Sequence, residues 1–327
     1  MIIEKSSDGF RIKVPCKINL YLEVLGKRSD GYHSLDTVMM AVSLFDELSI
    51  GHRDDDRLRL EMEFADGSGQ ALDDEDPAWN IPADQTNLCI RALDKLRHAI
   101  GQPALGANLK LIKRIPAMAG LGGGSADAAA ALVLGILLWT TRMDVSLAMS
   151  MARDLGSDIN FFLESHHQGH WLARCQGRGE FVEALQAKGP FTFVIAHPPI
   201  GCATRDVFAA WNGGNAPSDR DPQTLIRALN EGDTMSVGRE LWNGLEVAAE
   251  KTTPWIERSR KWIDRYDHHG QVLSGSGSAR FCLCESLEQA EKMAIEINLQ
   301  GEMRAFCVQS WRAPGIEAQI RKIRYGS

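Results

Sequence analysis

Gly120, Gly122, Gly123 and Gly124 crowd one short bend ahead of Ser125 and an alanine-rich run (PAMAGLGGGSADAAAALVLGILLW), the densest chemical signal in the chain. Glycine permits backbone conformations and close approaches that a side chain obstructs. Where such a bend feeds a helix, with Ser125 as its cap or in its first turn, the unpaired amides at the helix start can converge on an anion. That makes a cradle for phosphate. No Lys-Ser or Lys-Thr follows the glycines, so this is not the P-loop pattern, and a GxGxxG fingerprint with its acidic ribose partner is absent as well. A tight strand-to-helix turn against a crowded core would use the same glycines, so the residues alone leave anion binding and packing both open. A second bend, Ser274-Gly275-Ser276-Gly277-Ser278, could close its amides over phosphates or serve as an ordinary turn.

Other reactive side chains form weaker patterns. Seven cysteines, an odd number without a CxxC pair, fit reduced buried thiols better than a disulfide framework. Cys282 and Cys284 share one face of an apolar strand, where packing accounts for them better than a metal pair. His166, His167 and His170 lack a convincing set of metal partners and are expected in a solvated loop, as are His268 and His269. No metal ligand is assigned. The formal net charge of −7 comes without a long basic run, which argues against nucleic acid or an anionic bilayer but leaves room for a local phosphate site. The start MIIEKSSDGFRIKV has no secretory pattern, and the apolar stretch 128–139 is shorter than the roughly 20 residues of a membrane span. A cytoplasmic protein without membrane or nucleic-acid partners is expected.

Between these landmarks the hydrophobic pattern supplies the elements that must position them. With 327 residues the chain is long enough for two domains. From Phe10 to Val24 apolar residues occupy every second position, which predicts a half-buried strand with Lys13, Lys17, Asn19 and Glu23 on the other face and Pro15 at an edge, bend or break. Further strands are predicted through 38–44, 58–64, 109–111, 191–196, 271–274, 279–284 and 303–308. Helices are expected after an Asn87 cap, after the glycine bend, from an Asp144 cap to a left-handed Gly156, near 225–229, after Pro254, and after the capping-box pair Ser286 and Gln289. The acidic stretch 66–77 reads as a surface excursion and 212–221 as a loop. A soft domain boundary falls near residues 165–190.

Three separated blocks, PCKINLYLEVLGKRSDGYHSL, PAMAGLGGGSADAAAAL and LSGSGSARFCL, stand in the order and approximate spacing of the GHMP kinase superfamily, which the chain resembles over most of its length. IPADQTNLCIRAL, LGSDINFFL, GRGE at 177–180 and AHPP at 196–199 extend the match. The resemblance implies an α/β fold of the α+β type with two domains, 1–170 and 171–327, and the active site in the cleft between them. It implies a kinase that uses ATP and Mg2+, with the nucleotide held by Pro116, Met118, Gly120, Leu121, Gly122, Gly123, Gly124, Ser125 and Ala126. Lys17 and Asp158 match the family's catalytic lysine and aspartate, and Asn19 a substrate contact. Tyr32 and His33 match residues that recognise cytidine in the branch acting on a cytidine-diphosphate-linked methylerythritol of non-mevalonate isoprenoid synthesis. The implied reaction carries the ATP γ-phosphate to the acceptor 2-hydroxyl, with Asp158 taking the proton and Lys17 stabilising the oxygen.

Without the blocks, Lys17 reads as a solvated lysine on a strand face, Asp158 as a loop or capping aspartate, and Tyr32 and His33 as turn residues. Ala126 departs from the commoner GLGGGSSDA, removing one hydroxyl and leaving Ser125 and Asp127 nearby. Two alternatives stand beside the main reading: a GHMP kinase acting on a sugar, homoserine or a mevalonate-type alcohol, and an inactive nucleotide-binding protein, against which Lys17 and Asp158 argue. A homodimer is left open.

Overall fold

Alternating apolar residues over the first fifty positions fold into three antiparallel strands in a computed structural model, which describes residues 1–65, 81–140, 145–167, 169–211, 213 and 220–325. β1 (Ile2–Ser6) pairs with the start of β2 (Gly9–Lys27), and β2 runs along β3 (His33–Arg53). There follow β4 (Leu58–Phe64), α1 (Leu88–Ala99), β5 (Gly106–Lys113), α2 (Gly123–Trp139), α3 (Val145–Leu155), α4 (Ile159–His167), β6 (Leu172–Gly177) and β7 (Phe181–Ala184). The strands lie in the order β1-β2-β3-β5-β4, with β6 paired to β3 and β7 to β6.

β2 is not the half-buried strand that its alternation predicts, because residues 14–24 are buried on both faces. A period of two reports which side chains share a face and says nothing of what covers the other. Ile12 and Val14 pack with α1 and α2, whereas Cys16, Ile18 and Leu20 pack with Phe193, Ile195 and Phe281 of a second sheet. Lys17 and Asn19 are consequently buried. Pro15 marks a bend, with a register shift before Cys16 just beyond the last residue paired to β1.

The second half supplies β8 (Thr192–His197), α5 (Thr204–Ala210), α6 (Pro222–Glu231), α7 (Thr234–Arg239), β9 (Trp242–Asn243), α8 (Glu246–Glu250), α9 (Trp255–Ile263), β10 (Gly270–Leu273), β11 (Arg280–Cys284), α10 (Leu287–Gln300), β12 (Arg304–Gln309) and α11 (Ile316–Tyr325). Its sheet has the order β10-β11-β8-β12. Cys282 and Cys284 pack there with residues of α9 and α10, and all seven cysteines are free thiols. β9 returns to pair with β2, and α11 places Ile316 and Ile320 in the first core. Because β6 hydrogen-bonds to β3, a division after residue 170 would separate β6 and β7 from their own sheet. The change of sheet falls between Ala184 and Thr192.

Asn87 caps α1 and Ser286 caps α10, each accepting a hydrogen bond from a first-turn amide. α2 instead starts from Gly122, without a side-chain cap, and Ser125 lies in its first turn. Gly156 closes α3 outside the left-handed region expected of it. Asp144, the stretch 66–77 and most of the loop 212–221 lie outside the described residues. Among the described residues no helix is long and apolar enough to cross a membrane.

His166 does not belong to a solvated loop: it lies in the last turn of α4 and is 2% exposed. Burial holds its imidazole well below its ordinary pKa. The fold keeps it neutral where the unfolded chain takes up a proton, so this stability is present above about pH 6.5 and is lost as pH falls. His166→Phe should therefore lose about 1.5 kcal/mol less unfolding free energy than the parent between pH 6.5 and 5. Urea titrations at the two pH values measure the difference, and equal losses would contradict it.

Candidate active site

Lys17 sits where both faces of β2 are covered, so its ammonium must find acceptors within the protein. Three are in reach: Asn19 Oδ1 at 2.6 Å, the Gly120 carbonyl at 2.8 Å and Asp158 Oδ2 at 3.5 Å. Asn19 is oriented from behind, its Nδ2 donating to Thr37 Oγ1 (2.9 Å), and that hydroxyl donates to the Tyr21 carbonyl (2.6 Å). Asp158, in the turn before α4, keeps its side chain 27% exposed. Of the two side chains that meet Lys17 it is the more exposed, Asn19 being 1% exposed.

The glycine bend passes directly over this lysine, whose backbone amide donates to the Leu121 carbonyl (3.0 Å). Gly120 (φ 74°) and Gly122 (φ 71°) occupy the left-handed region, where a side chain is strained. A Cβ on Gly120 would overlap the Ser274 carbonyl oxygen, and one on Gly122 would press on the Lys17 stem at 3.0 Å. The carbonyls of Met118 and Ala119 receive the amides of Ser278 (3.3 Å) and Ala279 (3.1 Å), and Ser274 Oγ donates to the Gly120 carbonyl (2.9 Å). The two glycine bends are thus zipped together. Gly123, Gly124 and Ser125 open α2 against a cavity, and their amides have no helical partners.

That cavity, of about 510 Å³, has a polar end formed by Lys17, Asn19, Asp158, the first turn of α2, Gly275 and Ser276. Met39, Ile81, Pro82, Leu88 and Pro116 add apolar lining. Arg178, Thr204 and Phe208 connect it to a second recess of about 960 Å³ that holds Tyr32, His33 and Trp211. The His33 ring stacks on Phe208 (centroids 4.7 Å apart) and meets Trp211 edge-on at 5.3 Å, while the Arg178 guanidinium lies 4.7 Å from the Tyr32 centroid. Burial, and then the charge of Lys27, lower the pKa of His33. Its neutral imidazole offers one donor and one acceptor.

Of the residues singled out by sequence, Lys17, Asn19, Pro116, Met118, Gly120, Leu121, Gly122, Gly123, Gly124, Ser125 and Asp158 line the first cavity, and Tyr32 and His33 the second. Ala126 does not reach either. Its side chain is buried in the first core and its amide is bonded to the Gly122 carbonyl. A serine hydroxyl at that position would face the core, so the departure from GLGGGSSDA removes no group from the cavity. Thr37, Arg178, Phe208 and Trp211 were missed. Arg178 lies in the quoted GRGE block, whereas Thr37, Phe208 and Trp211 carry no local pattern. Among the described residues no group of three or more His, Cys, Asp or Glu is disposed to hold a metal ion. The oxygens of Ser125 and Asp158 at the polar end suit magnesium, which keeps most of its coordination to water and phosphate.

Residues 87–166 match the family described as GHMP kinases N terminal domain, and residues 225–301 match GHMP kinases C terminal. The 4-diphosphocytidyl-2-C-methyl-D-erythritol kinase of Pelotomaculum thermopropionicum is 39% identical across 85% of this chain and 90% of its own. The enzyme of that name from Nocardia farcinica is 34% identical across 93% and 94%. A crystal structure of a 4-(cytidine 5'-diphospho)-2C-methyl-D-erythritol kinase superposes with a TM-score of 0.72 at 31% identity, covering 91% of this chain and 98% of that one. Homoserine kinase from Cytophaga hutchinsonii, 18% identical with a TM-score of 0.67 over 95% and 98% of the two chains, shares the fold.

The zip between the bends makes the glycines unequal. Gly120→Ala should destabilise the protein by roughly 1–3 kcal/mol through its left-handed backbone, before any overlap with Ser274. Gly124→Ala places its Cβ in ordinary contact with Leu88 Cδ1 at 3.7 Å and should leave Tm unchanged. Thermal melts of both variants test this, and equal Tm values would remove the zip from the account.

Proposed function

We propose the following division of labour from one premise: this chain belongs to the 4-diphosphocytidyl-2-C-methyl-D-erythritol kinases of the GHMP kinase superfamily. It is a small-molecule kinase with an alcohol group as acceptor. One observation carries the reading. A buried ammonium, a partly open carboxylate and a helix start meet at one end of a cavity, beside an aromatic recess that fits a pyrimidine.

The first-turn amides of α2 bind and align the ATP triphosphate, with the adenine against the apolar lining and Gly275 and Ser276 also beside the phosphates. Ser125 would be the protein donor to magnesium, which would offset charge on the phosphates. Asp158 orients the acceptor 2-hydroxyl and takes its proton on the carboxylate. Lys17 holds Asp158 in place and meets the negative charge that develops on the acceptor oxygen. Asn19, held by Thr37, keeps the ammonium pointed there. Since little covalent work falls to the protein in phosphoryl transfer, alignment and electrostatics account for the rate. The products are ADP and the 2-phosphate of the acceptor.

Tyr32 and Phe208 offer aromatic faces to the cytosine, and His33 offers hydrogen-bonding groups. Arg178 stands between the recess and the reaction end, where the diphosphate of a cytidine-linked acceptor must pass. Homoserine or mevalonate would leave this recess unused, so the recess favours the cytidine-bearing alcohol.

Incubation with magnesium-ATP and 4-diphosphocytidyl-2-C-methyl-D-erythritol, followed by NMR of the product, should give the 2-phosphate; phosphate on another hydroxyl would overturn the assignment. Asp158→Asn should lower kcat about 100-fold or more while ADP affinity stays within threefold. Near-normal turnover would remove Asp158 as base. Phe208→Ala should raise KM for the acceptor by about tenfold, equivalent to about 1.4 kcal/mol, and leave KM for ATP unchanged. Competition by CDP but not by homoserine or mevalonate should accompany these effects.

A further inference from the structure

The glycine bend leaves β5 at Lys113 and returns to buried structure at Asp127, and these two residues are bonded to each other. Lys113 Nζ donates to Asp127 Oδ2 at 2.8 Å and also to Asp46 on β3. Asp46 Oδ1 accepts the amides of Arg114 (2.6 Å) and Ile115 (2.9 Å), which begin the bend. All three side chains are buried, at 0–3% exposure. The ammonium lies directly beneath the cradle, since a Cβ on Gly123 would come within 3.0 Å of Nζ. Every cavity-lining residue from Pro116 to Ser125 therefore belongs to a loop whose two ends are joined by one cation. Joining the ends removes the conformations in which they separate, and an amide cradle helps only when its amides are already aligned.

The charges in this cluster are unequal. Asp46 has two amides besides Lys113. Asp127 has Lys113, and its Oδ1 has no hydrogen-bond partner among the described residues. Desolvation raises the pKa of Asp127, with Asp46 adding to the effect and Lys113 opposing it. The titratable groups facing Asp127 are Lys113 on β5, Asp46 on β3 and Cys89 on α1, whose thiol burial keeps protonated.

We propose that Lys113 and Asp127, locked by Asp46, are positioning residues for the nucleotide: a clasp at the base of the glycine bend that aligns its amides on the donor phosphates and takes no part in the transfer. This inference rests on the reading of the bend as the ATP cradle.

Calorimetric titration of the full chain with magnesium-ADP tests it without any acceptor. At pH 7, Asp127→Ala should weaken ADP at least tenfold and raise KM for ATP to match, with kcat and the acceptor KM within twofold of the parent. Asp127→Asn, isosteric and neutral, keeps an acceptor for Lys113 and should bind ADP within threefold of the parent. Parent-like ADP affinity in Asp127→Ala, or an equal loss of acceptor affinity, would overturn the clasp. If Asp127→Ala fails to fold, Asp127→Ser, whose shorter side chain lacks the carboxylate that Lys113 Nζ meets, decides in the same titration: it should weaken ADP at least tenfold, and parent-like affinity would overturn the clasp. A parent that binds no ADP would sink the cradle reading, and the clasp with it. Because no acceptor is present, an error in the assigned acceptor cannot produce any of these binding results.

Discussion

An ammonium group taken out of water must be met by acceptors, and this requirement on Lys17 organises the centre of the molecule. Its partners come from three stretches of chain: the side chain of Asn19 on the same strand, a carbonyl of the glycine bend and the carboxylate before α4. Loss of one partner would leave a buried charge incompletely compensated, which is costly in proteins. The lysine thereby fixes where the glycine bend sits relative to the aspartate. In the proposed reaction those two distances decide how donor and acceptor oxygens line up.

The bend is held from above and from below. Above it, the second glycine-serine bend contributes two amides and a hydroxyl to three successive carbonyls, so the bends behave as one body. Met118 supports this arrangement at a cost, for it holds a positive φ without being glycine while its carbonyl accepts the amides of both Cys202 and Ser278. Below it, the Asp46, Lys113 and Asp127 cluster ties β3, β5 and α2 together under the same backbone. A helix start between two such anchors has little freedom to re-aim its amides, which is what electrostatic preorganisation demands.

In the proposed function, specificity resides farther out. Kinases for homoserine and mevalonate share this architecture, so the cradle alone does not select an acceptor. The aromatic recess is assembled from a turn of the first half and a short helix of the second, with Arg178 from the end of the first sheet between it and the reaction end. A pyrimidine needs flat apolar faces and a few hydrogen-bonding groups, and the recess offers both.

Local chemistry was readable in the chain. The glycine bend could be recognised as a strand-to-helix turn because glycine density before an alanine-rich helix is a local property, and the Asn87 and Ser286 caps because a cap bonds within its own turn. Lys17 and Asp158 were different: read alone they were surface residues, and only their place in separated blocks marked them. Tertiary structure decided that β2 is covered on both faces, that Ala126 points into the core, and that His166 is buried. It also brought Phe208 and Trp211 to His33 and put Lys113 beneath the bend. The physical reason is range. Propensity, capping and periodicity act over a few residues, whereas burial and ion pairing are set by whichever distant segment covers a face, and no local pattern names that segment.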